Sequence, residues 1–269
     1  MIHNSCRVSE FLGLIFGFLD RIPDYSDAHF LFDSRIYDTR HWRLAFIKGR
    51  LLMPETDQVK AVLFDFGGVV AEEGFKEGLH AIAVDHGLDP DIVISTAFKI
   101  TYDIGFVLGK VREDAFWRAM RNRFPFRGRE RDLTEQILSR FTLRPWILDI
   151  ASDLKALGVM VGILSDQCHW LDELDQRHDF FKRFDYIFNS YHLHISKKDP
   201  EIFDMVSQRL HIDPAKILFV DDHKAHILRA RQKGLQAILY KDKSSFLHQL
   251  AGIVCGTLEI ETCLPSLAI

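Results

Sequence analysis

A chain of 269 residues, 47% hydrophobic and 27% charged, has the ordinary make-up of a folded protein and is long enough for one α/β core with a smaller domain inserted in it. Its formal net charge of -4 offers no basic field, so nucleic acid is not an expected partner. The four cysteines, Cys6, Cys168, Cys255 and Cys263, form neither a CxxC pair nor a metal-ligand spacing, and free thiols in a cytoplasmic protein are expected.

Residues 1–52 read as an N-terminal extension. Phe11 to Leu19 (FLGLIFGFL) has the length of a signal-peptide apolar region, but Glu10 and Asp20 flank it and no small-residue cleavage site follows. The run is also too short to span a bilayer, so no membrane partner is expected. Ile22 to Arg50 has no clean period, and Met53-Pro54-Glu55-Thr56 then leads into a strand. Two readings stand: Met53 is the functional start, or the preceding segment is an amphipathic arm.

Ala61 to Phe64 is a short branched apolar run that reads as a parallel strand covered on both faces. Asp65 ends it at the edge where a parallel sheet opens onto a ligand crevice, and Gly67-Gly68 allow close approach of the backbone. From Glu72 to about Arg144 the pattern is helical. Leu79, Ile82, Ala83 and His86 share a face, Gly87 and Asp89-Pro90 break the helix and begin another, and Ile92, Ala97, Phe98 and Ile100 continue the apolar pattern. Glu113, Phe116, Trp117 and Met120 mark a third helix, and Leu133, Ile137 and Leu138 a fourth that begins near Thr134. No strand pattern interrupts this stretch, so residues 72–144 are expected to form a separate lid-like subdomain.

Pro145 opens a helix that Gly158 closes. Strands are then expected at Val159 to Leu164, Tyr186 to Phe188, Ile217 to Val220 and Ala237 to Tyr240, giving a doubly wound parallel sheet over 53–71 and 145–250, with a tail from 251 to 269. The stretches FDFGG, LSDQ, SKKDPEIF and LFVDD follow strands or lie in a loop between them, so the sheet gathers their ends. Together they offer a carboxylate nucleophile, Asp65, a hydroxyl, Ser165, an ammonium, Lys197, and an acidic pair, Asp221 and Asp222. Carboxylates so close repel one another unless a cation sits among them, and a hard divalent ion such as Mg²⁺ suits oxygen ligands. Phosphoryl transfer through an aspartyl-phosphate follows as the expected chemistry.

These four motifs in this order resemble the haloacid dehalogenase superfamily, specifically its phosphatase-like members with a helical cap after the first motif. The resemblance covers roughly Val59 to Tyr240. It implies Asp65 as nucleophile, Ser165 and Asp166 of the second motif and Lys197 of the third as substrate-binding residues, and a metal site of Asp65, the Gly67 carbonyl, Asp221 and Asp222. Asp199-Pro200 fixes Lys197, rather than Lys198, as the motif lysine; Lys198 then reads as a solvated neighbour. The implied activity is Mg²⁺-dependent hydrolysis of a small phosphorylated metabolite, such as a sugar phosphate. The sequence departs from the Asp-x-Asp pattern at Gly67, where the general acid-base is missing, a loss worth ~10² to 10⁴ in rate. Glu72 or Glu73 can stand in, the substrate can carry a good leaving group, or the chain can be a non-catalytic binding protein on the same scaffold. A 2-haloacid dehalogenase is a further alternative, which the acidic pair argues against.

His223 and His226 are expected to face solvent, His192-x-His194 to lie in a surface loop, and Trp117, Trp146 and Trp170 to pack in the core. The five arginines between Arg121 and Arg131 read as a solvated face or, more sharply, as a patch on the lid that recruits an anionic substrate.

Overall fold

The computed structural model describes residues 59–254 and the backbone of two short strands, β1 (Ala45–Ile47) and β2 (Arg50–Leu52). The chain divides into two compact units, Met1–Glu55 and Thr56–Ile269. In the first, β1 and β2 pair antiparallel with Ala45 opposite Leu52, a pairing that the aperiodic sequence there did not announce. The expectations for Phe11 to Leu19, for Met53 as a start and for the tail after Val254 lie outside the described residues.

The second unit is built on a five-stranded parallel sheet of β3 (Ala61–Phe64), β4 (Met160–Ser165), β5 (Tyr186–Asn189), β6 (Ile217–Asp221) and β7 (Gln236–Leu239) in the order β5-β4-β3-β6-β7. Alternate residues of the central strand enter two different cores, as a pleat buried on both faces requires. Val62 and Phe64 join one cluster and Ala61 and Leu63 the other. The register sets the site. Phe64 pairs with Ile163 on one side and Val220 on the other, so Asp65 and Asp221 leave the sheet at one level with Ser165 nearby.

Four helices intervene between β3 and the next core helix: α1 (Gly74–Asp85), α2 (Pro90–Asp103), α3 (Glu113–Arg121) and α4 (Glu130–Leu138). α5 (Pro145–Ala156) then returns to the sheet, followed by α6 (Trp170–His178), the short α7 (Ser190–Leu193), α8 (Glu201–Leu210), α9 (Lys224–Gln232) and α10 (Lys243–Val254). Three details differ from the sequence reading. α2, capped by Asp89 with Pro90 in its first turn, buries Val93, Ile94, Ala97 and Thr101, leaving Ile92 56% and Phe98 40% exposed. α4 starts at Glu130, before Thr134, and α10 carries the fold past residue 250.

The insert enters and leaves through adjacent segments: Ala71 bridges Leu143, the Glu72 N–H donates to Thr142 O at 2.9 Å, and the Arg144 N–H donates to Val70 O at 2.9 Å. Arg144 locks this junction. Its guanidinium grips both Glu72 oxygens at 2.8 Å and donates to the carbonyls of Gly68 (2.5 Å) and Val69 (3.0 Å). Hydrogen bonds to charged groups contribute ~1.5 to 3 kcal/mol each, and the exposure of Glu72 discounts its share. Arg144→Ala is therefore expected to lower stability by roughly 2 kcal/mol, read as a lower urea midpoint at unchanged m-value.

Glu113 anchors the insert to the core. Its carboxylate accepts from Trp117 Nε1 (3.1 Å), Trp170 Nε1 (3.2 Å) and Thr134 Oγ1, and lies 3.2 Å from His169 Nε2. Burial works against its charge, but His169, Thr134 and the two indoles hold its pKa at about 2, against an ordinary 4.5. A depressed carboxyl contributes stability that is present above the unfolded value and is lost as pH falls through the folded one. Acid unfolding between pH 4.5 and 2 should therefore be less steep in Glu113→Gln than in the parent.

Candidate active site

Asp65 sits where β3 ends, and its carboxylate is held from three directions. Oδ1 accepts from the Phe66 N–H at 2.7 Å and from Ser165 Oγ at 2.6 Å, while Oδ2 meets Lys197 Nζ at 2.6 Å. The Lys197 side chain is only 1% exposed and also reaches Asp221 Oδ2 at 2.6 Å, so one ammonium bridges two buried carboxylates. Asp221 Oδ1 accepts from the His223 N–H at 2.6 Å, and its Oδ2 lies 3.1 Å from His226 Nδ1.

Asp166 spends both oxygens on protein groups. Oδ1 accepts from the Lys197 N–H at 2.8 Å and Oδ2 from the Tyr102 hydroxyl at 2.9 Å, tying the second motif to the third and to α2. Tyr102 gave no signal in the sequence, because nothing in a helical period distinguishes a site tyrosine from a packing one. Lys198 is exposed, as expected of a solvated neighbour, and its Nζ also stands 3.2 Å from the centroid of the Tyr102 ring, drawn there by the ring's negative face.

A cavity of about 280 Å³ opens at these strand ends. Asp65, Gly67, Ser165, Asp166, Lys197 and Asp222 line it, together with Glu73, Gln167, His223 and His226. Asp221 lies behind Lys197 and does not reach the cavity, and Glu72 faces Arg144 instead. The expectation that His226 points at solvent is corrected. The first turn of α9 folds it back on Asp221, leaving its side chain 11% exposed. His223 is exposed as expected; its ring centroid is 4.6 Å from that of His226 and it borders the cavity mouth. Trp117 and Trp170 are buried as expected, and Trp170 also borders the cavity. Cys168 lies buried beside it, with burial pushing its thiol pKa up, away from nucleophilic character.

Gly68 and Gly67 are small for different reasons. Gly68 has φ +79°, and any side chain there would run into the Asp222 carboxylate. Gly67 has no left-handed backbone; a Cβ there would stand 2.8 Å from Glu73 Oε2.

Acid outnumbers base in this cluster. Burial, opposed by Lys197 and reinforced by Asp221, raises the pKa of Asp65; burial and Asp221 raise Asp222; and burial pushes Glu73 up to about 7. Burial opposes the charge of Asp221 too, but Lys197 and His226 hold its pKa low. A set of hard oxygen donors with one ammonium among them suits a small divalent cation. Among the described residues, Asp65, Asp221 and His226 can bring one ligand atom each within 4.8 Å of one another. Lys197 already bridges the two carboxylates of that group and imidazole is a poor Mg²⁺ ligand, so Asp65 with Asp222 is the better-suited pair.

An α/β sheet with a lysine-bridged acidic cluster at its carboxyl ends and a helical insert after the first strand defines a recognisable class of hydrolase scaffold. Residues 59–234 match the family model of haloacid dehalogenase-like hydrolases, and the chain belongs to that family. It is 29% identical over 139 residues to bifunctional epoxide hydrolase 2 of Rattus norvegicus, covering 49% of this chain and 24% of that protein. It is 28% identical over 109 residues to acyl-CoA dehydrogenase family member 10 of Mus musculus, 39% of this chain and 10% of that one. The chain thus matches a quarter or less of the length of these curated relatives.

Among solved structures, a HAD family enzyme from Bacteroides thetaiotaomicron in complex with magnesium and inorganic phosphate superposes with a TM-score of 0.57 at 20% identity, over 70% of this chain and 98% of that one. L-2-haloacid dehalogenase from Xanthobacter autotrophicus with chloropropionic acid covalently bound superposes at 0.52 and 16% identity, over 76% and 88%. These likenesses bear on the fold. Among the described residues no helix is long and apolar enough to cross a membrane.

Proposed function

We propose that this chain is a Mg²⁺-dependent phosphoric monoester hydrolase, acting on a small phosphorylated metabolite in the cytoplasm through an aspartyl-phosphate on Asp65. The observation that carries the reading is the buried Asp65 carboxylate at the cavity floor, with Ser165 Oγ at 2.6 Å and Lys197 Nζ at 2.6 Å. A nucleophile, a hydroxyl donor and a fixed positive charge converge on the place where a phosphoryl group would sit. Asp65, the Gly67 carbonyl and Asp222 would hold the cation, which when bound supplies positive charge against the phosphoryl oxygens. Asp221 would serve through Lys197, and Asp166 by fixing the Lys197 backbone and Tyr102. The helical insert would act as a cap that excludes water and selects the leaving group.

The cavity also has an apolar lining of Phe75, Phe98, Phe106, Val107 and Trp170, beside Lys76, Thr101 and Tyr102. A leaving group rich in hydroxyls would lose hydrogen bonds to water there without replacement, which favours an aryl or alkyl phosphate over a sugar phosphate.

The test is phosphate release from an aryl phosphate, an alkyl phosphate, a sugar 1-phosphate and a sugar 6-phosphate, with Mg²⁺ or with EDTA. Release that needs Mg²⁺ and is at least ~10-fold faster in kcat/KM for the aryl and alkyl esters is expected, since a few methylenes buried at ~0.8 kcal/mol each suffice. No release from any ester, with Mg²⁺ still bound, would make the chain a binding protein. Halide release from 2-chloropropionate without metal would make it a dehalogenase.

A further inference from the structure

Glu73 stands where the family pattern places its missing carboxylate. Position 67 is the second residue after the nucleophile, and its backbone is one that any L-residue adopts, so the turn does not require glycine there. Space does. A Cβ at residue 67 would lie 2.8 Å from Glu73 Oε2 and 3.6 Å from Gln167 Nε2, so the volume that a side chain from 67 would enter is already filled by the carboxyl of Glu73.

That carboxyl is held by its own helix. Glu73 caps α1, with Oε1 accepting from the Lys76 N–H at 3.4 Å, and this orients the other oxygen toward Gly67 and the cavity it lines. Glu72, next in sequence, is excluded from the same role. Both its oxygens are bound to Arg144 on the outer side of the junction. The two candidates that sequence could not separate are thus separated by geometry.

We propose that Glu73 is the general acid-base of this enzyme, reaching from the start of α1 into the space vacated at Gly67. The assignment rests on the phosphatase reading above and on position. As Asp65 attacks phosphorus, the bond from phosphorus to the leaving oxygen breaks, and that oxygen takes the proton of the Glu73 carboxyl to depart as an alcohol. The resulting Glu73 carboxylate then takes a proton from water as the water oxygen attacks the phosphorus of the aspartyl-phosphate. The bond from phosphorus to Asp65 breaks, releasing inorganic phosphate and restoring both carboxyl groups.

The experiment compares Glu73→Gln with the full-length parent on p-nitrophenyl phosphate, whose leaving group needs no proton, and on n-hexyl phosphate, whose leaving group does. Gln keeps an oxygen for the helix cap, and a thermal melt within a few degrees of the parent checks folding. On the alkyl ester kcat/KM should fall by ~10² to 10⁴, and on the aryl ester by less than ~10-fold. The aryl ester should also show a burst of p-nitrophenol stoichiometric with enzyme, because water attack on the aspartyl-phosphate has lost its base.

A second variant guards against a purely structural effect. Gly67→Asp combined with Glu73→Ala should recover at least ~10-fold of the alkyl kcat/KM relative to Glu73→Ala alone, since the new carboxyl enters the vacated space. Equal losses on both esters, no loss on either, or a parent that hydrolyses only the aryl ester would each overturn the assignment while leaving Asp65 as nucleophile. A parent that releases no phosphate from either ester overturns the assignment together with the phosphatase reading.

Discussion

Asp65→Asn is expected to lower phosphate release by ~10⁴ to 10⁶, the scale on which losing a nucleophile is measured in enzymes that form covalent intermediates. The carboxamide presents a neutral, weakly nucleophilic oxygen in place of a carboxylate. It can still accept from the Phe66 N–H and Ser165 Oγ through the atom that replaces Oδ1. The other terminal atom becomes an NH₂ group facing Lys197 Nζ, donor against donor, so that contact is lost. Lys197 keeps Asp221, and the fold should survive because the crowded cluster has lost one negative charge. For the same reason inorganic phosphate should bind Asp65→Asn more tightly than the parent. Steady-state phosphate release beside a calorimetric phosphate titration reads both effects. A variant that retained a few per cent of the parent rate would remove Asp65 from the nucleophile's role.

The parallel sheet was legible because each strand carries a short branched run that ends in a polar residue, and that rule located Asp65, Ser165 and Asp221 before any contact was seen. Their common level was not legible, since it depends on the pairing of Phe64 with both Ile163 and Val220. Pattern reading also treated Asp221 and Asp222 as equivalent. Only packing separates them, turning Asp221 onto Lys197 and His226 and Asp222 into the cavity over Gly68. His226 was misread because a helix that starts near an acidic pair normally points its first residues outward; here the first turn brings the imidazole back to Asp221. Tyr102 and Glu113 lie in the helical insert, where the apolar period dominates the sequence and the partners that tie a polar residue to the core are distant along the chain: Asp166 for the first, His169 and Trp170 for the second.

Lys197→Met should cost stability as well as activity. Methionine approximates the lysine stem in length and volume, so packing against Phe219 is kept and the lost quantity is charge. Two carboxylates, Asp65 and Asp221, each lose an ammonium at 2.6 Å and are left facing each other at buried positions. Removing one partner from a buried ion pair costs ~3 to 5 kcal/mol, more than any surface substitution in this chain should. Burial opposes the charge of Lys197 in the parent, but Asp221 and Asp65 raise its pKa above 10.5. A raised lysine contributes stability that is fully present below its unfolded value, so in the parent the bridge holds throughout the neutral range. In Lys197→Met the ammonium that opposes burial at both carboxyls is gone, so the pKa of Asp65 rises further and Lys197 no longer holds that of Asp221 down. The unbridged carboxyls have folded pKa values above their unfolded ones, so the folded state binds more protons than the unfolded state, and stability falls as pH rises past the unfolded value near 3.8. Urea unfolding at pH 5 and at pH 8 should therefore show a deficit relative to the parent that is larger at pH 8. A deficit equal at both would mean that Lys197 contributes by packing, with its two ion pairs carrying little of the fold's stability.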